Sequence, residues 1–478
     1  MQINRCQSHL FTLLALCTSL QICAANELPA TVSVALKHAA IPAKAVGIVV
    51  QEVGSREALI AVNQGSAFNP ASTMKLVTTD AALELLGPTF TWKTQAYASG
   101  NINSEVLTGN LIFKGSGDPK LVTENFWLFL RQIRAAGIRE IHGNVLLDRS
   151  AFEPQQTDSE KFDGDPVKPY NAVPDALLLN YQSLRFQFMP NNASGAASVV
   201  VDPPLANYDI APPAWTHDDC GDWQGKLGMN ISVNGVRFAG RYAASCGDKA
   251  WYVRPYQMTP NQYFSVVFKK MWTEVGGKFS GDVIDGVVPA DARLITVWES
   301  PTLSEVVRDI NKFSNNIMAR QLLLTLANAP STSTALQLPA NEQRGAQAVR
   351  GWLDDKRIEA AELQIENGSG LSRNERIAPA TMADLLVKAY RSPLMPEFIA
   401  SMPLVGYDGT MRRRLSSQDV AGNAHIKTGT LNEVKAVAGY VTALSGKRYV
   451  VVFFINHPNA AGGGAAQDAL IEWIYSHG

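Results

Sequence analysis

Asn69-Pro70-Ala71-Ser72-Thr73-Met74-Lys75 opens the run Ser72–Leu86. Its apolar positions Leu76, Val77, Ala81, Leu83 and Leu86 form no narrow stripe, which predicts a largely buried helix. Gly87-Pro88 is a stop signal. Residues three apart on a helix share a face, so the Ser72 hydroxyl and the Lys75 amine can meet. A serine hydroxyl is a weak nucleophile until a neighbour takes its proton. A lysine can take it once burial or a nearby cation disfavours its ammonium. Alone, Ser-x-x-Lys also spells a helix-capping serine followed by a solvated lysine.

Two distant stretches complete a pattern. Ser314-Asn315-Asn316 lies at the break between the helical runs Leu303–Asn311 and Ile317–Ala327. There the Ser314 hydroxyl can relay protons and the Asn316 amide can hold a substrate peptide group. Lys427-Thr428-Gly429-Thr430 ends a predicted strand that begins at Asn423. Lys427 and Thr428 can bind a carboxylate by charge and hydrogen bond. Gly429 admits a close approach, and the Thr430 N–H can face a developing oxyanion. Ser232-Val233-Asn234 shares the Ser-x-Asn spelling but sits in a β-rich run, so it reads as a decoy. Ser-x-x-Lys, Ser-Asp-Asn and Lys-Thr-Gly in this order mark β-lactamases and penicillin-binding proteins. Asn315 stands here where that spelling has Asp.

The rest of the chain suits one sheet shared by its two ends. Ala45–Val53 and Glu57–Val62 predict a hairpin, and Ala436–Leu444 and Arg448–Ile455 predict two more strands. Gln343–Asp355, Pro379–Arg391 and Gln467–Tyr475 are helical in period. From Phe90 to Val297 short β-like runs dominate, Tyr263–Val267 among them. The fold expected is α+β: an antiparallel five-stranded sheet flanked by helices, carrying a large, mostly β insertion of one or two domains. The boundaries drawn are 26–88 with 298–478 for the discontinuous catalytic domain, 89–182 with 258–297 for a second domain, and 183–257 for a nested third.

Arg5, the apolar stretch Leu10–Ile22 and the small residues Cys23-Ala24-Ala25 read as a signal peptide over 1–25, which implies an exported, periplasmic enzyme. Cys6, Cys17 and Cys23 leave with it. Cys220 and Cys246 remain, and an oxidising compartment favours a disulfide between them. In 478 residues the net charge is −1, which gives no footprint for nucleic acid. The 7 histidines show no metal-ligand spacing, so no metal and no cofactor are expected. Gly115-Ser116-Gly117-Asp118-Pro119 lacks the Gly-Lys-Ser/Thr of a phosphate loop and reads as a structural turn.

The sequence resembles the low-molecular-mass class C penicillin-binding proteins, of the penicillin-binding protein 4 type, over nearly the whole mature chain. Three surroundings carry the resemblance: Asn69–Lys75, Asn367-Gly368-Ser369-Gly370-Leu371-Ser372-Arg373, and Pro403-Leu404-Val405-Gly406-Tyr407-Asp408-Gly409-Thr410. Asn367 departs from the Asp usual there. The resemblance implies a D-alanyl-D-alanine carboxypeptidase/endopeptidase acting on peptidoglycan stem peptides and acylated by β-lactam antibiotics. Ser72 would be the nucleophile, Lys75 its base and Ser314 the proton relay. Asn316, Lys427, Thr428, Gly429 and Thr430 would hold the substrate, with the N–H groups of Ser72 and Thr430 as the oxyanion hole. A homodimer is left open. The alternatives are a β-lactamase, for which Glu362 and Glu366 lie in the right interval to supply a deacylating base, and a non-catalytic wall-binding or sensor protein.

Overall fold

A computed structural model describes residues 27–154, 162–191, 195–329 and 338–478. The expected signal peptide lies outside the described residues. After helix α1 (Ala30–His38), strands β1 (Val46–Glu52) and β2 (Ile60–Val62) form the expected antiparallel hairpin. A 3-10 turn at Ala71–Thr73 leads into α2 (Met74–Leu86). Residues Met74 to Leu83 of α2 are all buried, as a helix without a polar stripe requires. Gly87 ends it at φ 83°, which glycine takes without steric cost.

The chain then leaves this sheet. Strands β3 (Lys93–Asn103), β4 (Val106–Lys114), β5 (Glu140–Ile141) and β6 (Val145–Asp148) begin a seven-stranded sheet, interrupted by helix α3 (Thr123–Ala135). Two smaller sheets follow. They use β7 (Leu184–Met189), β8 (Ser198–Asp202), β9 (Asp209–Ala211), β10 (Ala214–Thr216), β11 (Leu227–Ser232), β12 (Gly235–Ala243) and β13 (Lys249–Val253). Helix α4 (Pro260–Glu274) leads back to the seven-stranded sheet through β14 (Lys278–Phe279), β15 (Val283–Asp285) and β16 (Arg293–Glu299). A disulfide joins Cys220 and Cys246 across a Cα–Cα distance of 4.8 Å.

One expectation fails here. Tyr263–Val267 is helical, the middle of α4, not a strand. Its aromatic run mimics a strand over five residues, but the buried set Tyr263, Phe264, Val267, Phe268, Met271 and Trp272 has a helical period. Thr259 and Gln262 form a capping box and Pro260 stands at the helix start. Helix α3 was likewise unforeseen, though Phe126, Phe129, Leu130 and Ile133 repeat at helical spacing. Most of the buried apolar residues of this part, between Ala96 and Trp272, form one cluster, while Phe152, Ala172, Ala176 and Leu178 pack against residues of the later helix Asn316–Leu326.

Helices α5 (Leu303–Phe313), α6 (Asn316–Leu326), α7 (Glu342–Asp355), α8 (Pro379–Arg391) and α9 (Met395–Ser401) follow. Strands β17 (Ala424–Leu431), β18 (Val434–Thr442) and β19 (Arg448–Asn456) and helix α10 (Gly464–His477) close the chain. The first sheet is antiparallel with order β17-β18-β19-β1-β2, so both chain ends complete it. Strand β19 is buried on both faces from Tyr449 to Ile455. One face packs on α1 and α10, the other on α2 and α5 to α9. Burying a Leu, Val or Phe is worth about 1.5–3 kcal/mol each, so the two clusters fix the sheet between them. Among the described residues no helix is long and apolar enough to cross a membrane.

Candidate active site

The turn before α2 is clamped to its surroundings. Asn69 accepts the Ala71 N–H at 2.9 Å and donates to Ser372 O at 2.9 Å. Its backbone exchanges two hydrogen bonds with the Asn456 side chain at the end of β19. Ala71 is thereby held at φ 45°, a left-handed value that alanine avoids. Ser72 follows at once. One turn later Lys75 Nζ lies 2.9 Å from Ser72 Oγ.

Lys75 is fully buried. Its Nζ also donates to Asn316 Oδ1 and Ser369 O, both at 2.5 Å. Burial pushes its pKa well below the usual lysine value, and the Lys427 charge pushes it further down. The charge of Glu375 acts in the other direction, as the smallest of the three influences. Lys427 is buried too, and burial brings it down to about 7. Two buried ammonium groups in one site repel, so a proton leaves Lys75 readily.

The junction between α5 and α6 explains the middle motif. Ser314 caps the end of α5 in a left-handed conformation, φ 57°. This turns its Oγ to within 2.9 Å of Lys427 Nζ. Asn315 is the N-cap of α6 and accepts the Met318 N–H at 3.1 Å. Asp and Asn cap about equally well, so Asn315 in place of Asp keeps the junction's geometry. Asn316 then begins α6 with its side chain on Lys75.

Strand β17 continues through the third motif to Leu431 instead of ending at Lys427. It is the edge of its sheet. Near its start that edge is covered: Ile426 N–H donates to Pro403 O and Ala424 O accepts the Val405 N–H, each at 2.9 Å. Outward-facing residues alternate along a strand, so the Thr428 and Thr430 N–H groups point outward like that of Ile426. Gly429, between them, lies with its face against the turn before α2. A Cβ on Gly429 would meet Pro70 O at 2.8 Å and Ser72 N at 2.9 Å. Only glycine lets the strand lie this close. Thr428 Oγ1 contacts Thr410 Oγ1 at 2.7 Å, which gives the 403–410 segment a place in the site.

The 366–376 segment supplies what motif spelling missed. Gly370, at φ 79°, has Ala71 O only 1.9 Å from where a Cβ would sit. Thr78 donates to Gly368 O at 2.7 Å, fastening this loop to α2. Asn367 accepts from Ser369 N and Oγ and donates to Leu371 O at 2.9 Å. An aspartate lacks the donor for that last bond. Glu375 is fully buried, and its Oε1 accepts the N–H groups of Glu366, Asn367 and Gly368. Burial raises its pKa. Its position only six residues beyond Ser369, folded back beneath the loop, had no sequence signal.

Other candidates have structural occupations. Glu362 accepts from Ala378 N and Thr381 Oγ1, and Glu366 from Ser372 and Asn374, so neither carboxylate bonds to Ser72. Ser232 closes the β11–β12 hairpin, donating to Gly235 O at 3.0 Å. Gly117, at φ 88°, turns tightly against the Phe152 ring, as a structural glycine does.

Comparison with known proteins agrees with this architecture. The chain is 25% identical to the D-alanyl-D-alanine carboxypeptidase DacB of Haemophilus influenzae, over 86% of this chain and 85% of that one. It is 26% identical to a D-alanyl-D-alanine carboxypeptidase of an Actinomadura species, over 93% of this chain and 84% of that one. The crystal structure of penicillin binding protein 4 from Haemophilus influenzae superposes with a TM-score of 0.76, covering 93% of this chain and 99% of that one at 23% identity. The family profile described as D-Ala-D-Ala carboxypeptidase 3 (S13) matches residues 28–476. The chain belongs to this family of serine-type D-Ala-D-Ala carboxypeptidases.

Proposed function

We propose that the protein is an exported carboxypeptidase and endopeptidase that cleaves D-alanyl peptides of peptidoglycan through an acyl-enzyme on Ser72. Neutral Lys75 takes the Ser72 proton as Oγ attacks the carbonyl of the penultimate D-alanine. The tetrahedral oxyanion sits between the N–H groups of Ser72 and Thr430. Ser314, bonded to Lys427, relays to the leaving amine the proton that Lys75 took from Ser72, and the C–N bond breaks. Water then attacks the ester, releasing the shortened peptide and restoring Ser72. Asn316 holds the substrate amide. Lys427 and Thr428 hold the terminal carboxylate, with Gly429 leaving room for it. A β-lactam enters by the same route, in line with the β-lactam complex known for the Haemophilus influenzae protein. The open edge of β17 beyond Ile426 supports β-addition of an extended peptide. That suits a cross-linked substrate as well as a free stem peptide.

The observation that carries this reading is the buried Lys75 amine 2.9 Å from Ser72 Oγ, with its proton disfavoured by burial and by Lys427. The test is Ser72→Ala assayed for D-alanine release from a D-Ala-D-Ala-terminated peptide. Release should fall by roughly 10³-fold or more while circular dichroism stays unchanged. Continued release would remove Ser72 from its role.

A further inference from the structure

Away from Ser72, between β6, the 173–179 loop and the start of α4, lies a cavity of about 970 Å³. This is the upper end of the range for small-molecule sites, about 300–1,000 Å³. Leu147, Phe152, Leu178 and Phe264 contribute apolar wall. Most of its charged groups are already engaged. Arg149 bonds Asp175 through Nε at 2.8 Å, and its Nη1 meets Asn261 at 2.8 Å and Asp285. Glu153 accepts from Asn341.

Arg254 is the exception. It lines the cavity, is only 5% exposed, and its Nε and Nη1 have no hydrogen-bond partner. Among the described residues no carboxylate pairs with it. Its charged neighbour is Arg320 of α6, which repels it and which is itself turned to Glu342 and Ala172 O. A buried guanidinium without a counter-ion is costly, and an anion held in the cavity that Arg254 lines would offset that cost.

We propose that this cavity binds a small amphiphile bearing a carboxylate or phosphate, with Arg254 holding the anion and the apolar walls holding its hydrocarbon body. The cavity adjoins the catalytic part of the chain at Pro339. Its Asp175 wall is fixed to α6 by Gln321, which bonds both Asp175 N and Asp175 O.

Calorimetric titration of the whole protein with dodecanoate and with dodecyl phosphate tests this, with dodecylamine as the charge control. Saturable binding of at least one anion is expected, and the tighter of the two names the headgroup. Arg254→Met should weaken it tenfold or more without lowering Tm, because the change removes an unpaired buried charge. Val287 lines the cavity and is 68% exposed, so Val287→Asp adds repulsion at no cost to folding and should weaken binding as well. It carries the test if Arg254→Met misfolds. The proposal is overturned if neither anion binds saturably, if dodecylamine binds as tightly, or if the folded variants bind like the wild type.

Discussion

At Lys75, burial and the Lys427 charge act in the same direction, and the pH dependence follows. Protonation of Lys75 removes the general base, so kcat/KM should fall as pH drops through its lowered pKa. Lys427 loses its charge as pH rises through about 7 in the free enzyme, so KM for a carboxylate-terminated peptide should increase above that pH. A rate flat from acid to alkaline pH would contradict both assignments. The sign for stability is separate. Both amines bind fewer protons folded than unfolded, so they cost stability below the ordinary lysine pKa of about 10.4, increasingly until each folded pKa is passed. Lys75→Met should therefore be inactive yet melt higher than the wild type at neutral pH. Glu375→Gln removes an attraction that favours the Lys75 ammonium, and should move the acid limb of kcat/KM to lower pH. An unmoved limb would show Glu375 to serve only the loop. Ser72, Lys75, Ser314 and Lys427 were legible because each stands in a short spelled motif. Glu375 and Asn69 were not assigned roles, because their partners are backbone groups brought near only by folding.

At the scale of elements, the site depends on where two helices begin and one loop turns. Asn315→Ala removes the cap of α6 and should cost about 1 kcal/mol, measured by denaturant unfolding, whereas Asn315→Asp should be near neutral. A larger loss for the aspartate than for the alanine would mean the carboxylate is repelled by something other than the capped N–H. Gly370→Ala should impair acylation, since a Cβ there would press on Ala71 O beside the nucleophile. The helices on either side of Ser314 were readable from periodicity, whereas α2, without a narrow apolar stripe, was readable from its motif, its apolar content and the Gly87-Pro88 stop. The α4 sequence imitates a strand because aromatic residues favour strands, while its capping box and helical spacing specify the helix. α3 was missed among neighbouring β runs, although its apolar spacing is that of a helix.

At the scale of the molecule, one sheet is closed by residues from both ends of the chain, with 241 residues between Ser72 and Ser314. That closure was legible, because hairpin and C-terminal strands have plain alternation and turn signals. The internal layout between β3 and β16 was not, because many short strands allow several pairings and the sequence does not rank them. The Cys220–Cys246 bridge, with a sequence separation of 26, belongs to that part. Its removal by a double serine substitution should cost about 3 kcal/mol and lower Tm, while β-lactam acylation at 25 °C stays intact. The account as a whole stands on Ser72 as the acylated atom's owner. Mass spectrometry of peptides from protein treated with benzylpenicillin tests it most directly. A single, lasting penicilloyl group on the peptide containing Ser72, absent from Ser72→Ala, is the predicted result; a label on Ser314 or elsewhere, or rapid hydrolysis of the antibiotic with no adduct, would contradict it.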